Sequence, residues 1–281
     1  MDNIANILPE DVQITYDRSL LPVADAVVFN IPFLPSDLEG DIEKPDNQLW
    51  IGWSYESEAN YPWMFSDELK DLFDLWMTYH LDSDIVLPYY DYSFLDKLYS
   101  PVSKKTKDIC MFVSSPVNNS KRIEYLSELM KYLDIDSYGR WQRNRFVEVD
   151  LGYTTKLDII KQYKFTIAFE NAISEDYVTE KFFDPLIMGS VPVYLGASNI
   201  EQFSPGENSF VDVRKYNSPE LLAERLKEYC QDNSLYDTLL EWRKHPLKCG
   251  LKSLIEDQKK HPFERLVNLI HLFWNKNKPS F

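Results

Sequence analysis

The sequence predicts an α/β protein built on a mostly parallel sheet. Strand-like and helix-like segments alternate across residues 108–230, a pattern typical of parallel sheets covered by helices. The clearest unit lies at residues 165–196, where a buried strand, a polar loop, a helix and a second buried strand follow one another. Such βαβ units bind ligands beyond the carboxyl ends of their strands. We therefore expect a ligand site just after Phe169, where the first of these strands ends.

Length and composition place the chain among folded globular proteins. Its 281 residues suffice for two ordinary domains, and 44% of them are apolar. No apolar run reaches the roughly 18 residues of a membrane span, so no stable span is expected. The N-terminal segment lacks the basic and apolar regions of a signal peptide. The three cysteines are too few and too widely spaced for a disulfide framework or a metal cluster. A reducing, cytoplasmic location is expected.

The net charge of -15 is concentrated in the first part of the chain. Residues 1–100 hold 20 Asp and Glu against 4 Lys and Arg, and the remaining residues hold 25 acidic and 26 basic side chains. The acidic part would repel nucleic acid and anionic membranes, so nucleic acid is not expected as a partner. The later part could accept an anionic ligand.

In the first part, buried strands are predicted at residues 24–29 and 49–53, with a polar loop at residues 32–45 between them. Glu56 follows the second strand, where a carboxylate is well placed for chemistry, although an exposed loop acid without a chemical role is the more usual case. Ser66 is expected to cap a helix. The apolar side chains at helical spacing in that helix are Leu69, Leu72, Phe73 and Trp76.

A change in composition at residues 100–107 marks the predicted domain boundary. The domains are then residues 1–100 and 101–260, followed by residues 261–281, which include an amphipathic helix expected to pack back on the body. Lys121 and Arg122 stand at the start of a predicted helix. That end disfavours cations, unless an anion shares it with the exposed N–H groups; both an anion site and a chance placement remain open.

Capping residues bound the helices of the second part. Thr179 is a predicted N-cap, Gly189 a predicted helix stop, and Ser218 starts a further helix together with a proline at its first position. Two more helices are predicted at residues 234–244 and 263–274.

Three motifs stand in order at the centre of the chain. They are Phe169-Glu170-Asn171, Tyr177-Val178-Thr179-Glu180-Lys181 and Gly189-Ser190-Val191-Pro192-Val193-Tyr194-Leu195-Gly196. This pattern resembles the α-1,3-fucosyltransferases of glycosyltransferase family 10, bacterial members included. Supporting matches are Trp53 to Ser57 with the family's acidic E-S loop, Asp82 to Tyr89 with a D-S-D-I-x-x-P-Y segment, and Asp136 to Gly139 with a D-x-Y-G turn. Together they cover roughly residues 20–230.

The resemblance implies the GT-B fold, in which two Rossmann-like domains face a cleft. The C-terminal domain of such enzymes holds the donor GDP-fucose, and the N-terminal domain binds the acceptor. The implied reaction is inverting and moves L-fucose to O3 of GlcNAc in an N-acetyllactosamine or Lewis-type glycan.

The same resemblance assigns roles to individual residues. Carried over by motif, Arg122 and Lys181 hold the diphosphate, Glu180 binds the ribose, Tyr177 forms part of the donor wall, and Glu56 is the general base. Glu170 and Asn171 match the motif, and a carboxylate at Glu170 could stabilise an oxocarbenium-like transition state.

No metal site is predicted. Asp82-Ser83-Asp84 could hold a divalent ion between phosphates or form a turn. Because the resemblance assigns the phosphates to Arg and Lys, we interpret this segment as structural, with Mn²⁺ or Mg²⁺ at most stimulating activity.

Two features depart from the family pattern. The family's E-S-P loop is E-S-E here, with Glu58 in the third position. The absence of a signal anchor favours a bacterial, cytoplasmic enzyme, with the inner face of the membrane as a peripheral site.

Two other functions are compatible with the sequence. One is a GT-B transferase with a different nucleotide sugar. The other is a carbohydrate-binding protein without catalysis, which would use exposed aromatic residues. The candidates are Tyr55, Tyr61, Trp63, Tyr89 and Tyr90. The cationic pair argues against the second function, and the same aromatics would suit an acceptor platform or the core.

Overall fold

The computed structural model describes residues 8–34 and 43–277. It divides into two compact units, the first formed by residues 1–88 with 257–281 and the second by residues 89–256. Residues 35–42 of the predicted polar loop lie outside the described residues.

The first unit contains a parallel sheet in the order β1-β2-β3-β4. Its strands are β1 (Ala26–Asn30), β2 (Leu49–Ser54), β3 (Leu75–Thr78) and β4 (Ile85–Val86). The first two were predicted from their apolar runs and are confirmed to within two residues. β2 lies between two neighbours and is buried along most of its length, as a near-continuous apolar strand of a parallel sheet should be.

The helix predicted from Ser66 is wrong beyond its first turn. Helix α1 covers only Asp67–Lys70, and Trp76 belongs to β3. Phe73 and Trp76 pack edge to face, with ring centroids 5.3 Å apart, within an aromatic cluster on the sheet. A short apolar run can serve a strand or a helix, and here tertiary packing rather than periodicity decided.

The second unit contains a parallel sheet in the order β6-β5-β7-β8-β9. Its strands are β5 (Lys107–Met111), β6 (Asp136–Ser137), β7 (Tyr163–Phe169), β8 (Val191–Leu195) and β9 (Val211–Asp212). From β5 the chain first adds β6 on one side and then β7 on the other. The crevice between the carboxyl ends of β5 and β7 is therefore a topological switch point, where open α/β sheets bind ligands.

One helix of this unit precedes β5, and the others come after it in the chain. The helices are α2 (Phe94–Leu98), α3 (Arg122–Leu129), α4 (Tyr153–Ile160), α5 (Glu180–Met188), α6 (Pro219–Gln231), α7 (Asn233–Asp237) and α8 (Cys249–Glu256). A 3₁₀ segment, Thr238–Lys244, continues α7 across the predicted helix at residues 234–244. Neither α2 nor α8 was predicted.

The caps predicted for the helices of this unit are confirmed, whereas the Ser66 hydroxyl makes no capping hydrogen bond to the described residues of α1. Thr179 Oγ1 accepts from the Lys181 N–H, and Ser218 Oγ accepts from the Leu221 N–H. Gly189 ends α5 with a φ of 65°, and an added Cβ would lie 2.6 Å from the Val102 side chain. Glycine is therefore required there both by the backbone conformation and by the close approach.

Residues 89–100, predicted in the first domain, belong to the second unit by their contacts. Their apolar side chains explain this, because Tyr90 and Phe94 place their rings 4.8 and 5.3 Å from that of Phe183 in α5.

The last helix, α9 (Pro262–Asn277), belongs to the first unit. Its apolar side chains pack against a core cluster of the first sheet, and Leu266 is 3% exposed. The stripe of apolar residues that predicted an amphipathic helix is thus used for packing. Among residues 8–34 and 43–277, no helix combines the length and apolar content needed to cross a bilayer.

Candidate functional site

Two loops meet at the switch point of the second sheet. One follows β5 and leads into α3, and the other follows β7 and leads into α5. Ser120 joins them, since its hydroxyl donates to the Glu170 carbonyl at 2.6 Å and its N–H donates to the Asn171 carbonyl at 3.0 Å. The structure therefore brings Glu170 and Asn171 beside Arg122, which is the first residue of α3.

Arg122 is buried and is bonded to backbone. Its side chain is 1% exposed, and its two terminal nitrogens donate to the carbonyls of Phe169, Ser115 and Val117, each at 3.2 Å. Burial lowers the pKa of Arg122, while nearby Glu170 favours its charged form. Arg122 thus fastens the two loops to each other, and its predicted contact with a diphosphate remains a prediction.

Glu170 is fully buried and holds the start of α5. Its carboxylate accepts from the Thr179 N–H at 2.8 Å and from the Thr179 hydroxyl at 2.9 and 2.8 Å, and it lies 3.2 Å from Lys181 Nζ. Burial raises the pKa of Glu170 despite the opposing charge of Lys181. A Cβ at position 196 would lie 2.7 Å from Glu170 Cγ, so Gly196 leaves room for this side chain.

A chain of alternating charges runs from Glu170 along α5. Lys181 Nζ lies 3.4 Å from Glu180 Oε1, which lies 3.7 Å from Lys156 Nζ, and Lys156 lies 2.8 Å from the buried Asp184. Each lysine therefore stands between two carboxylates, and this network links α4, α5 and the end of β7.

The network keeps Glu180 and Lys181 charged. Burial opposes ionisation of Glu180, but the attraction of Lys181 and Lys156 outweighs it and lowers the pKa of Glu180. Burial likewise opposes the charge of Lys181, but Glu170 and Glu180 raise the pKa of Lys181 above its usual range. At neutral pH the site thus offers an ionised acceptor and a cation side by side.

Tyr177, predicted in the donor wall, is 2% exposed. Its ring meets that of Tyr89 edge to face at 6.2 Å, and its carbonyl accepts from the Tyr194 hydroxyl at 3.5 Å. In this structure, Tyr177 therefore forms part of the packed wall beside the loop that precedes α5.

Three site residues were missed in the sequence: Tyr153, Lys156 and Asp184. The Tyr153 hydroxyl donates to Asp184 Oδ1 at 2.6 Å, and Lys156 Nζ forms an ion pair with Oδ2 of the same buried carboxylate at 2.8 Å. A signal for Asp184 was present, because it is an acid on the apolar side of a predicted helix. Lys156 gave no such signal.

A cavity of about 390 Å³ adjoins this network. It lies between the loop after β6 and the start of α4, and Lys156 lines it. The other polar or aromatic side chains around it include Phe112, Tyr138, Arg143, Arg145, Phe146, Asp150 and Thr155. Arg143 Nε donates to the Gly139 carbonyl at 3.0 Å, and its guanidinium lies 5.9 Å from the centre of the exposed Phe146 ring.

Glu56, the predicted general base, lies in the first unit just after β2 and is half-buried. Its N–H donates to Ser54 Oγ at 2.9 Å, and Ser54 Oγ donates to the Glu56 carbonyl at 3.1 Å. Within the described residues of its own unit, the Glu56 carboxylate has no hydrogen-bond or ion-pair partner. It is thus available to an added ligand.

The Asp82-Ser83-Asp84 segment forms the turn between β3 and β4. Asp84 Oδ2 accepts from the Trp76 N–H at 2.7 Å, which occupies one of its oxygens in holding β3. In the part of the chain that the structure describes, no group of three or more His, Cys, Asp or Glu side chains could hold a metal ion.

Two family profiles match the chain. "Fucosyltransferase, N-terminal" matches residues 8–90, and "Glycosyltransferase family 10 (fucosyltransferase) C-term" matches residues 102–276. The second profile alone covers more than half of the chain.

Curated proteins with similar sequences include animal and plant proteins. The chain is 36% identical over 239 residues to 4-galactosyl-N-acetylglucosaminide 3-alpha-L-fucosyltransferase 9 of Homo sapiens, with 82% of this chain and 64% of that protein covered. It is 38% identical over 231 residues to a putative fucosyltransferase-like protein of Arabidopsis thaliana, with 80% and 43% covered. The chain thus spans less than two thirds of the length of either relative. A bacterial source stays a prediction.

Solved structures of an α1,3-fucosyltransferase share the fold. The alignment with the structure that contains GDP-fucose covers 92% of this chain and 79% of that chain, with a TM-score of 0.58 and 16% identity. The structure with GDP covers 77% and 68%, with a TM-score of 0.54 and 17% identity. The predicted α/β GT-B fold is confirmed by these likenesses.

Proposed function

Because the chain belongs to glycosyltransferase family 10, we propose that it transfers L-fucose from GDP-fucose to a hydroxyl of an N-acetyllactosamine or Lewis-type glycan. The acceptor atom in this proposal is O3 of GlcNAc, and the reaction inverts the anomeric centre. The observation that carries the proposal is the charged network of Glu180 and Lys181 beside a cavity that Lys156 lines.

We place the guanine base of the donor in the cavity. Guanine offers two acceptors, O6 and N7, on one edge, and N–H donors on another. Arg143 presents terminal nitrogens that suit the acceptors, and Asp150 presents a carboxylate that suits the donors. The exposed ring of Phe146 supplies a surface for stacking. Adenine, which carries a donor in place of O6, would fit this pair of residues less well.

The neighbouring charged residues suit the rest of the nucleotide. Lys156 both lines the cavity and contacts Glu180, so a base in the cavity brings the ribose toward Glu180. The ionised Glu180 can accept from ribose hydroxyls. Lys181, in the first turn of α5, can meet the diphosphate together with that helix end, where N–H groups favour an anion.

The chemistry requires a base and a stabilised leaving group. A sugar hydroxyl is a poor nucleophile at neutral pH, so a carboxylate must take its proton during attack, and we assign this role to Glu56. Negative charge develops on the diphosphate as GDP departs, and Lys181 is placed to stabilise it. Since cations of the protein can serve the phosphates, we propose that no metal is required, with Mn²⁺ or Mg²⁺ at most stimulating.

The other two functions make different demands. A transferase for another nucleotide sugar would retain the charged network, but its cavity would prefer another base. A carbohydrate-binding protein without catalysis would need no nucleotide cavity and no cation at the start of α5. A nucleotide titration therefore separates all three.

We expect the protein to bind GDP more tightly than ADP or UDP, and calorimetric titration measures the three affinities. Asp150→Asn should weaken GDP binding by roughly 5- to 150-fold, corresponding to about 1–3 kcal/mol for a base-edge contact, and should reduce the preference over ADP. Glu207→Gln, which changes an exposed carboxylate of the same unit, is the control and should leave the affinity unchanged.

If the wild type prefers another nucleotide, the donor is not GDP-fucose but a sugar linked to that nucleotide. Failure to bind any nucleotide would favour the carbohydrate-binding function. If Asp150→Asn binds GDP as tightly as the wild type does, the proposed position of the guanine base in this cavity is wrong.

A further inference from the structure

Glu58 stands two residues after the general base of the proposed reaction, in the position where the family's acidic loop has proline. Its side chain is 32% exposed. The Tyr79 hydroxyl donates a hydrogen bond to Glu58 Oε2, and His80 Nε2 lies 3.4 Å from the same oxygen. The rings of Tyr79 and His80 are stacked with their centroids 4.3 Å apart, so the two donors are fixed relative to each other.

These contacts tie two neighbouring strand ends together. Glu58 lies in the loop after β2, whereas Tyr79 and His80 directly follow β3, which pairs with β2. Tyr79 is 3% exposed and is therefore anchored in the body of the unit. A carboxylate held by an anchored phenol and an imidazole gives the loop a fixed point beyond its own backbone.

The loop at residues 54–61, which we call the acidic loop, is held on both sides of Glu56. Upstream, Ser54 Oγ accepts from the Glu56 N–H. Downstream, Ser57 Oγ accepts from the Ala59 N–H at 3.2 Å, and the Ser57 carbonyl accepts from the Asn60 N–H at 2.9 Å. The Glu58 carboxylate joins this turn to the residues that follow the neighbouring strand.

The position of the acidic loop matters for the proposed reaction. A general base must lie within hydrogen-bond reach of the proton that it removes, about 2.6–3.2 Å. A misplacement of about 1 Å can cost on the order of 10²-fold in rate. The backbone of Glu56 cannot be fixed by its own side chain, because that carboxylate must remain available to the acceptor.

We propose that Glu58, held by Tyr79 and His80, is a positioning residue that keeps the Glu56 carboxylate in place for proton abstraction. This inference rests on the proposed function. In the E-S-E form of the loop, the third residue holds the loop through its side chain, whereas proline at that position could do so only by stiffening the backbone. Glu58 itself removes no proton from the acceptor.

The test uses the full chain with Tyr79→Phe, His80→Ala and His80→Gln. Tyr79→Phe and His80→Ala should lower kcat for transfer by about tenfold, within the range that displacement of a base produces, while GDP affinity and the KM for GDP-fucose stay unchanged. His80→Gln should restore most of the rate, because its amide nitrogen can replace Nε2 in facing Glu58. Melting temperatures check that each variant is folded.

A second arm shows whether the effect passes through Glu56. In the Glu56→Gln background, Tyr79→Phe and His80→Ala should cause no further loss of transfer, since a positioning residue has no effect once the base is gone. An equal loss in both backgrounds, or an unchanged kcat in the wild-type background, would overturn the proposal.

Hydrogen exchange without substrates keeps the two hypotheses apart. Amides of residues 55–61 should exchange faster in Tyr79→Phe and His80→Ala than in the wild type, whatever the activity of the protein. If amide exchange is the same in the variants as in the wild type, only the proposal that Tyr79 and His80 hold the acidic loop through Glu58 is overturned. If the variants exchange faster but the wild type transfers no fucose, the proposed function is overturned. The catalytic role of Glu58 is then overturned as well, although its structural role in the loop stands.

Discussion

Glu56→Gln is expected to lower the rate of fucosyl transfer by about 10² or more while GDP binding stays unchanged. The amide keeps the size of the side chain but cannot accept the proton of the acceptor hydroxyl. Since the Glu56 carboxylate has no ion-pair or hydrogen-bond partner among the described residues of its unit, its replacement should leave the fold intact. GDP release with GDP-fucose and N-acetyllactosamine measures the rate, and a GDP titration measures binding.

Asp71→Asn is the matched control, because it removes an exposed carboxylate from the same unit. It should retain the wild-type rate and melting temperature. A Glu56→Gln variant that transfers fucose at more than a tenth of the wild-type rate would contradict the assignment of the base and favour a solvated loop acid at this position.

Lys181→Gln is expected to lower turnover by about 10²–10³ and to weaken GDP binding. Lys181 Nζ lies within 3.4 Å of Glu170, Glu180 and the Thr179 hydroxyl, so its position is set by three partners before a ligand arrives. Its charge can then stabilise the leaving diphosphate without reorganisation. The loss should fall on kcat more than on GDP affinity, because the diphosphate gains charge in the transition state.

Lys164→Gln is the control for this change. Lys164 is a half-buried lysine of the same unit, but its ammonium group donates to the Cys230 carbonyl and to Asn233 and has no role at the switch point. It should retain the rate. Equal rates for wild type and Lys181→Gln would remove Lys181 from the donor site.

The same measurements separate two roles for Glu170. If Glu170 only holds Thr179 and Lys181, then Glu170→Gln should lower the free energy of unfolding by about 1–3 kcal/mol and turnover by less than Lys181→Gln. A direct contact with the fucosyl group would instead give a loss as large as that of Lys181→Gln at an unchanged melting temperature. Its complete burial and its bonds to Thr179 favour the holding role.

The sequence predicted best where local rules decide the structure. The strands on either side of α5 carry uninterrupted apolar runs, and Thr179 and Gly189 bound that helix by capping preferences that act within a few residues. The helix predicted for residues 66–76 was wrong because tertiary packing, and not a local rule, decides the structure there. Their apolar spacing suited a helix, but Trp76 was needed in a strand of the first sheet.

The candidate site was predicted as a set of residues but not as a geometry. The motifs placed Glu170, Asn171, Glu180 and Lys181 near one strand end, and the structure brings them together with Arg122 at the switch point. The three carbonyls that bind the Arg122 guanidinium could not be predicted, because loop conformation determines where backbone oxygens point. Lys156 reaches the network from another helix, and no local pattern encodes such a contact.

The transfer reaction itself tests the central claim most directly. The wild-type protein would be incubated with GDP-fucose and N-acetyllactosamine in the presence of EDTA, and the product analysed by nuclear magnetic resonance. We expect GDP release matched by one new fucosyl residue, α-linked to O3 of GlcNAc, as inversion of the β-linked donor requires. A protein that binds GDP but yields no fucosylated product with this acceptor or with Lewis-type glycans would contradict the proposed function.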